Sequence, residues 1–381
     1  MTEDLFLIAG EHSGDLHGQQ LMHSLTSLDF TRFHGIGGPL MRESGLTPVI
    51  PMEDLQVMGF KDLIVSLNKI RRQLSIVQKE ILKHQPTGVV FIDYPGFNLR
   101  LASALRKIGY QGKLIHYISP TVWAWGKGRI QKMVSTLDML LTILPFEKQY
   151  YTQTPLTLHY VGNPSVEEIQ NHNYISDWKC QCHLNHEQPI VALFPGSRGK
   201  EIDKGIEKFL LCAKAFQEKH SHYQIAISSI SKSYEPLFHE YLKKYGIRGS
   251  VVPVKYRFEL MREACAAIAA SGTVTLELAL HHTPTVVTYE VGHFNRFIAQ
   301  YILKIHLPYY SLPNILAQRE VFPEFIATPP TVDGLLHHLS LLTQDSRERN
   351  KTLRDCRMIE KILGKSQASK VAANHIRELL R

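Results

Sequence analysis

The feature that most constrains this chain is a repeated alternation of short apolar strand patterns with amphipathic helix patterns. Strand patterns in the first half occupy residues 5–10, 32–38, 88–93, 113–119, 138–145 and 157–162. After a polar stretch the scheme restarts, with strand patterns at 190–196, 223–229, 250–254, 266–272 and 284–291. Such alternation indicates βαβ units and mostly parallel sheets. The chain is therefore predicted to be α/β, with two doubly wound halves whose strand ends face a cleft.

Length and charge set broad limits on function. The 381 residues are enough for roughly two to three domains. With 44% hydrophobic and 20% charged residues, the chain is globular rather than disordered. Its formal charge of +8 suits an anionic partner, whether nucleic acid, a phosphate ligand or an acidic membrane surface.

The cysteines and the absence of long apolar segments indicate the compartment. Five irregularly spaced cysteines favour a reducing environment over a disulfide framework. The stretch 180–186, CQCHLNH, lacks a second Cys/His cluster at zinc-finger spacing, so a polar surface turn is favoured over a metal site. No signal peptide or transmembrane pattern is seen. A cytoplasmic protein is expected, with membrane contact left open.

Acidic residues follow two of the strands in the first half. Asp93 comes directly after the buried run 88–92, and a Pro-Gly pair follows it. A plain turn would explain this pattern, but open α/β sheets also bind ligands at the carboxyl ends of their strands. The turn 8–18, IAGEHSGDLHG, places Glu11 and Ser13 after another strand. Its glycine spacing does not match the dinucleotide fingerprint.

Two turns in the second half have the composition of phosphate-binding sites. In 193–201, LFPGSRGKE, a strand runs into a turn and a helix, where amides attract phosphate and Arg198, beside Ser197, offers a fork of donors. The alternative is a tight turn with a solvated arginine. The stretch ASGTVTLELAL repeats the device with Ser271, Gly272 and Thr273. Glu277, one turn into that helix, suits ribose hydroxyls or simply the helix dipole.

The segment 57–74, VMGFKDLIVSLNKIRRQL, combines an apolar stripe with positive charge. Met58 and Phe60 belong to the stripe, and Arg71 and Arg72 are among the basic residues. A basic amphipathic helix can dock on anionic lipid. The alternative is an ordinary helix packed on the sheet.

Other patterns narrow the function. Trp123 follows the strand pattern 113–119 and fits either stacking on a sugar or packing in the core. The chain has no Asp-x-Asp, the usual carboxylate pair for a nucleotide-bound metal. It also has no G-x-S-x-G, which weighs against an α/β-hydrolase.

Eight stretches, in this order, together resemble the lipid-A-disaccharide synthase family: AGEHSGD, VMGF, IDYPGFN, YISPTVWAW, LPFEK, FPGSRGKE, SGTVTLE and SLPN. The resemblance implies a GT-B glycosyltransferase with two Rossmann-like domains. On this scheme residues 1–165, joined by returning C-terminal helices at about 350–381, form an acceptor- and membrane-facing domain. Residues 166–349 form the UDP-sugar-binding domain.

The resemblance also implies a reaction. 2,3-Diacylglucosamine passes from UDP to 2,3-diacylglucosamine 1-phosphate (lipid X), which gives the β-1,6-linked lipid A disaccharide 1-phosphate and UDP with inversion at the anomeric carbon. The implied setting is lipopolysaccharide biosynthesis, peripheral on the cytoplasmic face of the inner membrane. No metal, cofactor or nucleic acid is implied, and a homodimer is left open.

Residue roles are carried over motif by motif. The family's essential aspartate falls on Asp93, which is expected to be the general base for the acceptor 6-hydroxyl. Arg198 is expected to bind the UDP diphosphate. The acidic residue of the first turn falls on Glu11, the helix glutamate on Glu277 and the asparagine of SLPN on Asn314. The residues expected to complete the UDP site are Ser197, Ser271, Gly272 and Thr273, and those on the acceptor side are Ser13 and Trp123.

Two positions depart from the family pattern. Relatives often carry a second aspartate at the position of Gly96 and a histidine at the position of Asn163, so any role of those residues is not carried over.

Three other functions fit parts of the sequence. A UDP-N-acetylglucosamine 2-epimerase would share the phosphate turns without needing an apolar acceptor surface. A dinucleotide dehydrogenase lacks its fingerprint here. A non-catalytic nucleotide-sugar or lipid-binding protein would bind UDP and release none.

Overall fold

Two parallel β-sheets organise the chain in a computed structural model, which describes residues 4–55, 63–123, 128–196, 199–289, 308–326 and 331–381. The first unit consists of Met1–Glu167 and Lys365–Arg381, and the second of Glu168–Gly364. Every described strand pair in either sheet is parallel. The predicted α/β class is therefore confirmed.

The first unit contains a seven-stranded sheet in the order β3-β2-β1-β4-β5-β6-β7. Its strands are β1 (Asp4–Ala9), β2 (Arg32–Ile36), β3 (Leu46–Pro48), β4 (Gly88–Ile92), β5 (Lys113–Tyr117), β6 (Met139–Thr142) and β7 (Thr157–Tyr160). The helices described in sequence with them are α1 (His12–Thr26), α2 (Pro39–Glu43), α3 (Leu63–His84), α4 (Pro95–Lys107) and α5 (Gly128–Thr136), and the chain passes into the second unit within α6 (Pro164–Asn171). The strand order changes direction between β1 and β4.

Alternate residues of β1 fill the two sides of this sheet. Leu5, Leu7 and Ala9 pack in one cluster with α1, whereas Phe6 and Ile8 pack in another with α3 and α4. All five side chains are fully buried. Burying a large apolar side chain stabilises the fold by about 1.5–3 kcal/mol, so this continuous apolar strand requires helices on both faces.

The second unit contains a six-stranded sheet in the order β10-β9-β8-β11-β12-β13. Its strands are β8 (Ile190–Phe194), β9 (Gln224–Ser228), β10 (Gly249–Val252), β11 (Ala264–Ala270), β12 (Thr285–Tyr289) and β13 (Glu324–Ile326). The described helices are α7 (Trp178–Gln181), α8 (Gly199–Lys219), α9 (Glu235–Tyr245), α10 (Arg257–Glu263), α11 (Thr273–Leu280), α12 (Leu312–Ala317), α13 (Val332–Thr343) and α14 (Arg347–Leu363). Here the order changes direction between β8 and β11.

The C-terminal helices belong partly to each unit, and the segment that joins the first unit begins later than the expected boundary near residue 350. Helix α14 contacts α11, α12 and α13 and buries Cys356 and Ile359 within the second unit. Gly364, at a φ of 63°, ends that helix. Only α15 (Ala368–Leu380) joins the first unit, where it packs along α1. The returning segment therefore begins at Lys365, because the apolar side of α14 fits the second unit.

Candidate functional site

The two acidic residues predicted in the first unit follow adjacent strands. Ala9 of β1 is in register with Ile92 of β4, so Glu11 and Asp93 both lie at the carboxyl edge of the sheet, where its order changes direction. In open α/β sheets, ligands bind in the crevice at this point. Glu11 also occupies the N-cap position of α1, where the helix dipole favours a negative charge.

The backbone at Asp93 is held in an unusual conformation. Asp93 and Tyr94 have φ values of 48° and 47°, in the left-handed region that residues with a side chain seldom adopt. The Asp93 N–H donates to the Tyr117 carbonyl at 2.9 Å, and the Asp93 carbonyl accepts from the Asn98 amide at 2.7 Å. These bonds tie the turn to β5 and α4. A turn of this kind costs on the order of 1–3 kcal/mol per residue, and such strain is commonest at functional sites.

Tyr94 connects the two turns of this edge. Its hydroxyl donates to the Leu55 carbonyl at 3.0 Å, and its ring lies so close to Gly10 that a Cβ there would be 2.3 Å from the ring. Burial and the charge of Glu11 raise the pKa of Tyr94, so it remains a neutral hydrogen-bond donor. Gly10 is thus required by the approach of the ring, and the Gly10–Glu11 turn is packed against the Asp93–Tyr94 turn.

A buried glutamate near this edge was missed by the sequence analysis as a functional candidate. Glu147 is 1% exposed and accepts hydrogen bonds from the N–H groups of Ile143 and Leu144 at 3.1 and 2.9 Å. Burial raises the pKa of Glu147 to about 7, although these hydrogen bonds oppose the change. Ser119 and Trp123 lie beside the same carboxyl group. The signal that could have identified it is the acidic residue of LPFEK directly after a strand pattern.

Ser13 and Trp123, predicted on the acceptor side, have different surroundings. Ser13 is exposed in the first turn of α1. Trp123 is half-buried and packs edge-on against Phe146, with ring centroids 5.6 Å apart. Asp15, from the same motif as Ser13, is fully buried and accepts from the N–H groups of Leu40 and Met41 at 3.1 and 3.0 Å. It therefore caps α2.

The predicted phosphate turns of the second unit also follow adjacent strands at a change of strand order. Ala269 of β11 is in register with Phe194 of β8. After β8, Gly196 has a φ of 105°, and α8 begins at Gly199. Ser197 and Arg198 lie outside the described residues. The two turns therefore leave the same edge of the sheet.

The turn after β11 uses some of its own polar groups. The Ser271 N–H donates to the Thr288 carbonyl at 2.8 Å, so this amide is not available to a ligand. The Gly272 carbonyl accepts from the Thr275 hydroxyl at 2.8 Å. Gly272 and Thr273 are exposed at the start of α11, which is where a phosphate would approach the helix.

Glu277 lies one turn into α11 in a largely buried ionic group. Its side chain is 12% exposed, and Oε2 lies 3.9 Å from Nε of Arg257. Arg257 is also paired with Glu168. Burial raises the pKa of Glu277 to about 7, while Arg257 opposes and Glu168 adds to the rise. Near neutral pH the Glu277 carboxyl can therefore accept a hydrogen bond and, when protonated, donate one.

Asn314 has partners other than the expected ligand. Its side chain is fully buried, and its oxygen accepts from the N–H groups of Val321 and Phe322 at 2.8 and 2.9 Å. Its amide nitrogen donates to the Phe322 carbonyl at 2.8 Å and to Glu324. These bonds use the full hydrogen-bonding capacity of a primary amide. The structure thus gives Asn314 a positioning role within the second unit, and direct binding of UDP by this residue stays a prediction.

Comparison with known proteins identifies the family. The model of the lipid-A-disaccharide synthetase family matches residues 5–376. The chain belongs to this family. The lipid-A-disaccharide synthase of Chlamydia pneumoniae is 42% identical over 369 residues, which are 95% of this chain and 60% of that relative. The one from Idiomarina loihiensis is 33% identical over 345 residues, which are 90% of each chain.

Solved structures share the fold of this synthetase-family chain. A UDP-N-acetylglucosamine 2-epimerase from Neisseria meningitidis, bound to UDP-GlcNAc, aligns with a TM-score of 0.67 and covers 98% of this chain and 100% of its own. Its sequence identity of 11% makes this a likeness of fold alone. The predicted GT-B architecture is confirmed. The chain spans about three fifths of the length of the chlamydial relative.

The segment of this synthetase-family chain that was predicted to contact lipid is described only in part. Met58 and Phe60 lie outside the described residues. Arg71 and Arg72 are exposed on α3, whereas Ile70 and Leu74 pack against the core of the first unit. Within the described residues, no helix combines the length and apolar character needed to cross a bilayer. Ile70 and Leu74 thus face protein, whereas the two arginines are exposed.

Proposed function

We propose that this chain is an inverting glycosyltransferase that transfers 2,3-diacylglucosamine from UDP to lipid X and releases UDP. Support comes from its membership of the lipid-A-disaccharide synthetase family and from relatives named lipid-A-disaccharide synthase. Because the chlamydial relatives are longer than this chain, the proposal is also argued from the site residues that the chain itself carries. The observation that carries it is the placement of Asp93 at the change of strand order.

Asp93 is the proposed general base. It takes the proton of the acceptor 6-hydroxyl as that oxygen attacks the anomeric carbon, while the bond from that carbon to the UDP oxygen breaks on the opposite face. Proton removal by a positioned carboxylate contributes ~10²–10⁴-fold to rate. Glu11, on the neighbouring turn, is the proposed second carboxylate of the reaction. The strained backbone of Asp93 supports the base role, because the bonds to Tyr117 and Asn98 limit how the turn can reorient.

The second unit is proposed to hold the UDP part of the donor. Arg198 and the Ser197 turn bind the diphosphate, and the exposed Gly272–Thr273 turn approaches it from the neighbouring strand end. Positive charge and amide dipoles there stabilise the negative charge that develops on departing UDP. Glu277 is proposed to bind the ribose hydroxyls, for which its mixed donor and acceptor character is suited.

Both substrates carry acyl chains, so we propose that the enzyme binds peripherally to the cytoplasmic face of the inner membrane. The proposed contact is the segment 57–74, with Met58 and Phe60 as apolar residues and Arg71 and Arg72 as partners of anionic lipid.

The reaction is tested by measuring UDP release from UDP-2,3-diacylglucosamine in mixed micelles, with and without lipid X. We expect release that depends on lipid X and a disaccharide of the corresponding mass. UDP release without any acceptor, or conversion of UDP-N-acetylglucosamine alone, would contradict the transferase proposal and favour hydrolysis or epimerisation.

The base assignment is tested by Asp93→Asn. We expect kcat to fall by ~10²–10⁴-fold with donor binding retained, since the amide keeps the size of the side chain but cannot take a proton. Asp29→Asn is the matched control, because Asp29 also has a left-handed backbone, at a φ of 70°, and is an exposed residue after α1. Near-normal turnover of the Asp93 variant would rule out its role as base.

A further inference from the structure

Three side chains that are suited to bind a metal meet on the first unit, at the edge opposite Asp93. We call Asp4, His34 and His84 the amino-edge cluster. Asp4 is the first residue of β1, His34 lies in β2, and His84 is the last residue of α3. Each offers one ligand atom, and these atoms all lie within 4.8 Å of one another. No other such group of His, Cys, Asp and Glu occurs among the described residues.

The fold explains how residues so far apart in sequence come together. In β1, Asp4 lies on the same face as Phe6, and Phe6 is in register with His34 of β2. Helix α3 covers this face, since its Val77 and Ile81 are in the same core cluster as Phe6. The C-terminal end of α3 therefore brings His84 over the start of β1 and the middle of β2.

The arrangement leaves one carboxylate oxygen of the cluster without a hydrogen-bond partner among the described residues. The rings of His34 and His84 are stacked, with centroids 4.4 Å apart and planes 26° apart. Oδ1 of Asp4 is inaccessible to solvent and makes no hydrogen bond with any described residue, and it lies 3.7 Å from Nε2 of His34. A buried oxygen without a hydrogen-bond partner destabilises the folded state, and a bound cation would remove that cost.

We propose that the amino-edge cluster binds one divalent transition-metal ion, of which zinc fits best. Two imidazole nitrogens and one carboxylate oxygen are ligands that zinc takes at about 2.0–2.2 Å. The side chains must close by roughly 1 Å or more to reach those distances, and exposed fractions of 20–29% leave them room to turn. Oε2 of Glu80, 3.4 Å from Nε2 of His84, is placed to orient that ring.

The position of the cluster assigns the ion a structural role. It lies at the amino edge of the sheet, whereas the proposed base Asp93 lies at the carboxyl edge. A metal there joins β1, β2 and the end of α3, and so fastens that helix to the sheet. An ion that binds the folded chain but not the unfolded chain raises the free energy of unfolding by mass action. This inference does not depend on the proposed glycosyl transfer.

The test uses the full chain after treatment with a chelator. Co²⁺ is titrated while its visible absorption is followed, and Zn²⁺ is then added to displace it. We expect one equivalent of Co²⁺, its displacement by Zn²⁺ and a higher melting temperature with Zn²⁺. His34→Asn with His84→Asn should abolish the binding of Co²⁺ and the rise in melting temperature with Zn²⁺. Asp4→Asn, which keeps the stacked rings, should weaken Co²⁺ binding at least tenfold.

The matched control is His159→Asn with His375→Asn, which removes another stacked histidine pair, at 3.8 Å, on the same unit. This control should leave Co²⁺ binding unchanged. The proposal is overturned if the chelator-treated chain without substitutions binds no more Co²⁺ than the His34/His84 variant. It is also overturned if binding is lost on replacing Cys180 and Cys182 instead. If the His34/His84 variant does not fold, the Asp4→Asn result decides.

Discussion

The amide of Asn314 fastens the start of α12 to the strand that follows it. Glu324 of β13, which accepts from the Asn314 amide, also accepts from the Ser311 N–H at 3.0 Å and from the Ser311 hydroxyl at 2.6 Å. Asn314→Ala should lower the free energy of unfolding by about 3 kcal/mol, because it leaves two buried N–H groups without acceptors. The midpoint and slope of urea unfolding would measure this loss.

Asn350→Ala provides the matched control for Asn314. Asn350 also donates to a carboxylate, that of Asp345 at 2.8 Å, but on the surface. Its loss should cost less than about 0.5 kcal/mol. Equal stability losses for the two variants would contradict the positioning role. A stable Asn314→Ala chain that had lost only its affinity for UDP would support the predicted direct binding of UDP instead.

A site residue could be predicted from the sequence only where the residues next to it in the chain indicate its position. Asp93 and Glu11 directly follow strand patterns, so their place at a sheet edge follows from the chain itself. The partners of Asn314 and the burial of Glu147 depend on packing, so the local pattern of LPFEK could have indicated the position of Glu147 but not its burial. The amino-edge cluster is the extreme case, because its members are brought together only by strand register and by the length of α3.

At the scale of elements, α3 separates its two sides clearly. Its buried side is formed by Ile70, Leu74, Val77 and Ile81, and Arg71 and Arg72 are exposed. Between Ile70 and Ile81 this helix is therefore amphipathic, with its apolar side packed on the sheet. A lipid contact would use the exposed arginines and the residues that precede the helix.

Reversing the charge of both arginines tests this contact. A basic residue near an anionic surface contributes about 1 kcal/mol, so Arg71→Glu with Arg72→Glu should weaken binding to phosphatidylglycerol-rich vesicles at least tenfold. Sedimentation with the vesicles would measure the change. Lys79→Glu with Lys83→Glu is the control, about 12–17 Å further along the axis of the same helix. Unchanged vesicle binding in the arginine variant, or an equal loss in the control, would contradict the proposed contact.

The long apolar strands could be predicted from the sequence, and the short edge strands could not. The strands of the two sheet centres lie within a few residues of the predicted patterns, because a buried parallel strand is a continuous apolar run. Strands β3 and β13 were missed, since each has three residues and pairs only at its sheet's edge. The extent of the returning C-terminal segment was also missed, because sequence periodicity shows that a helix has an apolar side and does not show which unit covers it.

At the scale of the whole molecule, each unit contains a largely buried glutamate and a largely buried histidine whose pKa values are shifted in opposite directions. Burial raises the pKa of Glu147 and of Glu277 from 4.5 to about 7. Burial lowers the pKa of His116 and of His281 from 6.5 to about 4. The acids remove stability as pH rises from 4.5 to about 7, and the histidines remove it as pH falls from 6.5 to about 4. Within each unit these effects oppose each other between about pH 4.5 and 6.5.

Removing one member of the pair in the first unit should expose the pH dependence of the other. Relative to the unaltered chain, the free energy of unfolding of Glu147→Gln should rise by roughly 2 kcal/mol between pH 4.5 and 6.5, because only the His116 effect remains. That of His116→Phe should fall by a similar amount. Urea unfolding at several pH values would measure both differences, and constant offsets from altered packing do not affect them. The double variant should follow the unaltered chain, since neither effect is left. Parallel profiles for both single variants would show that the folded state does not hold these two groups neutral.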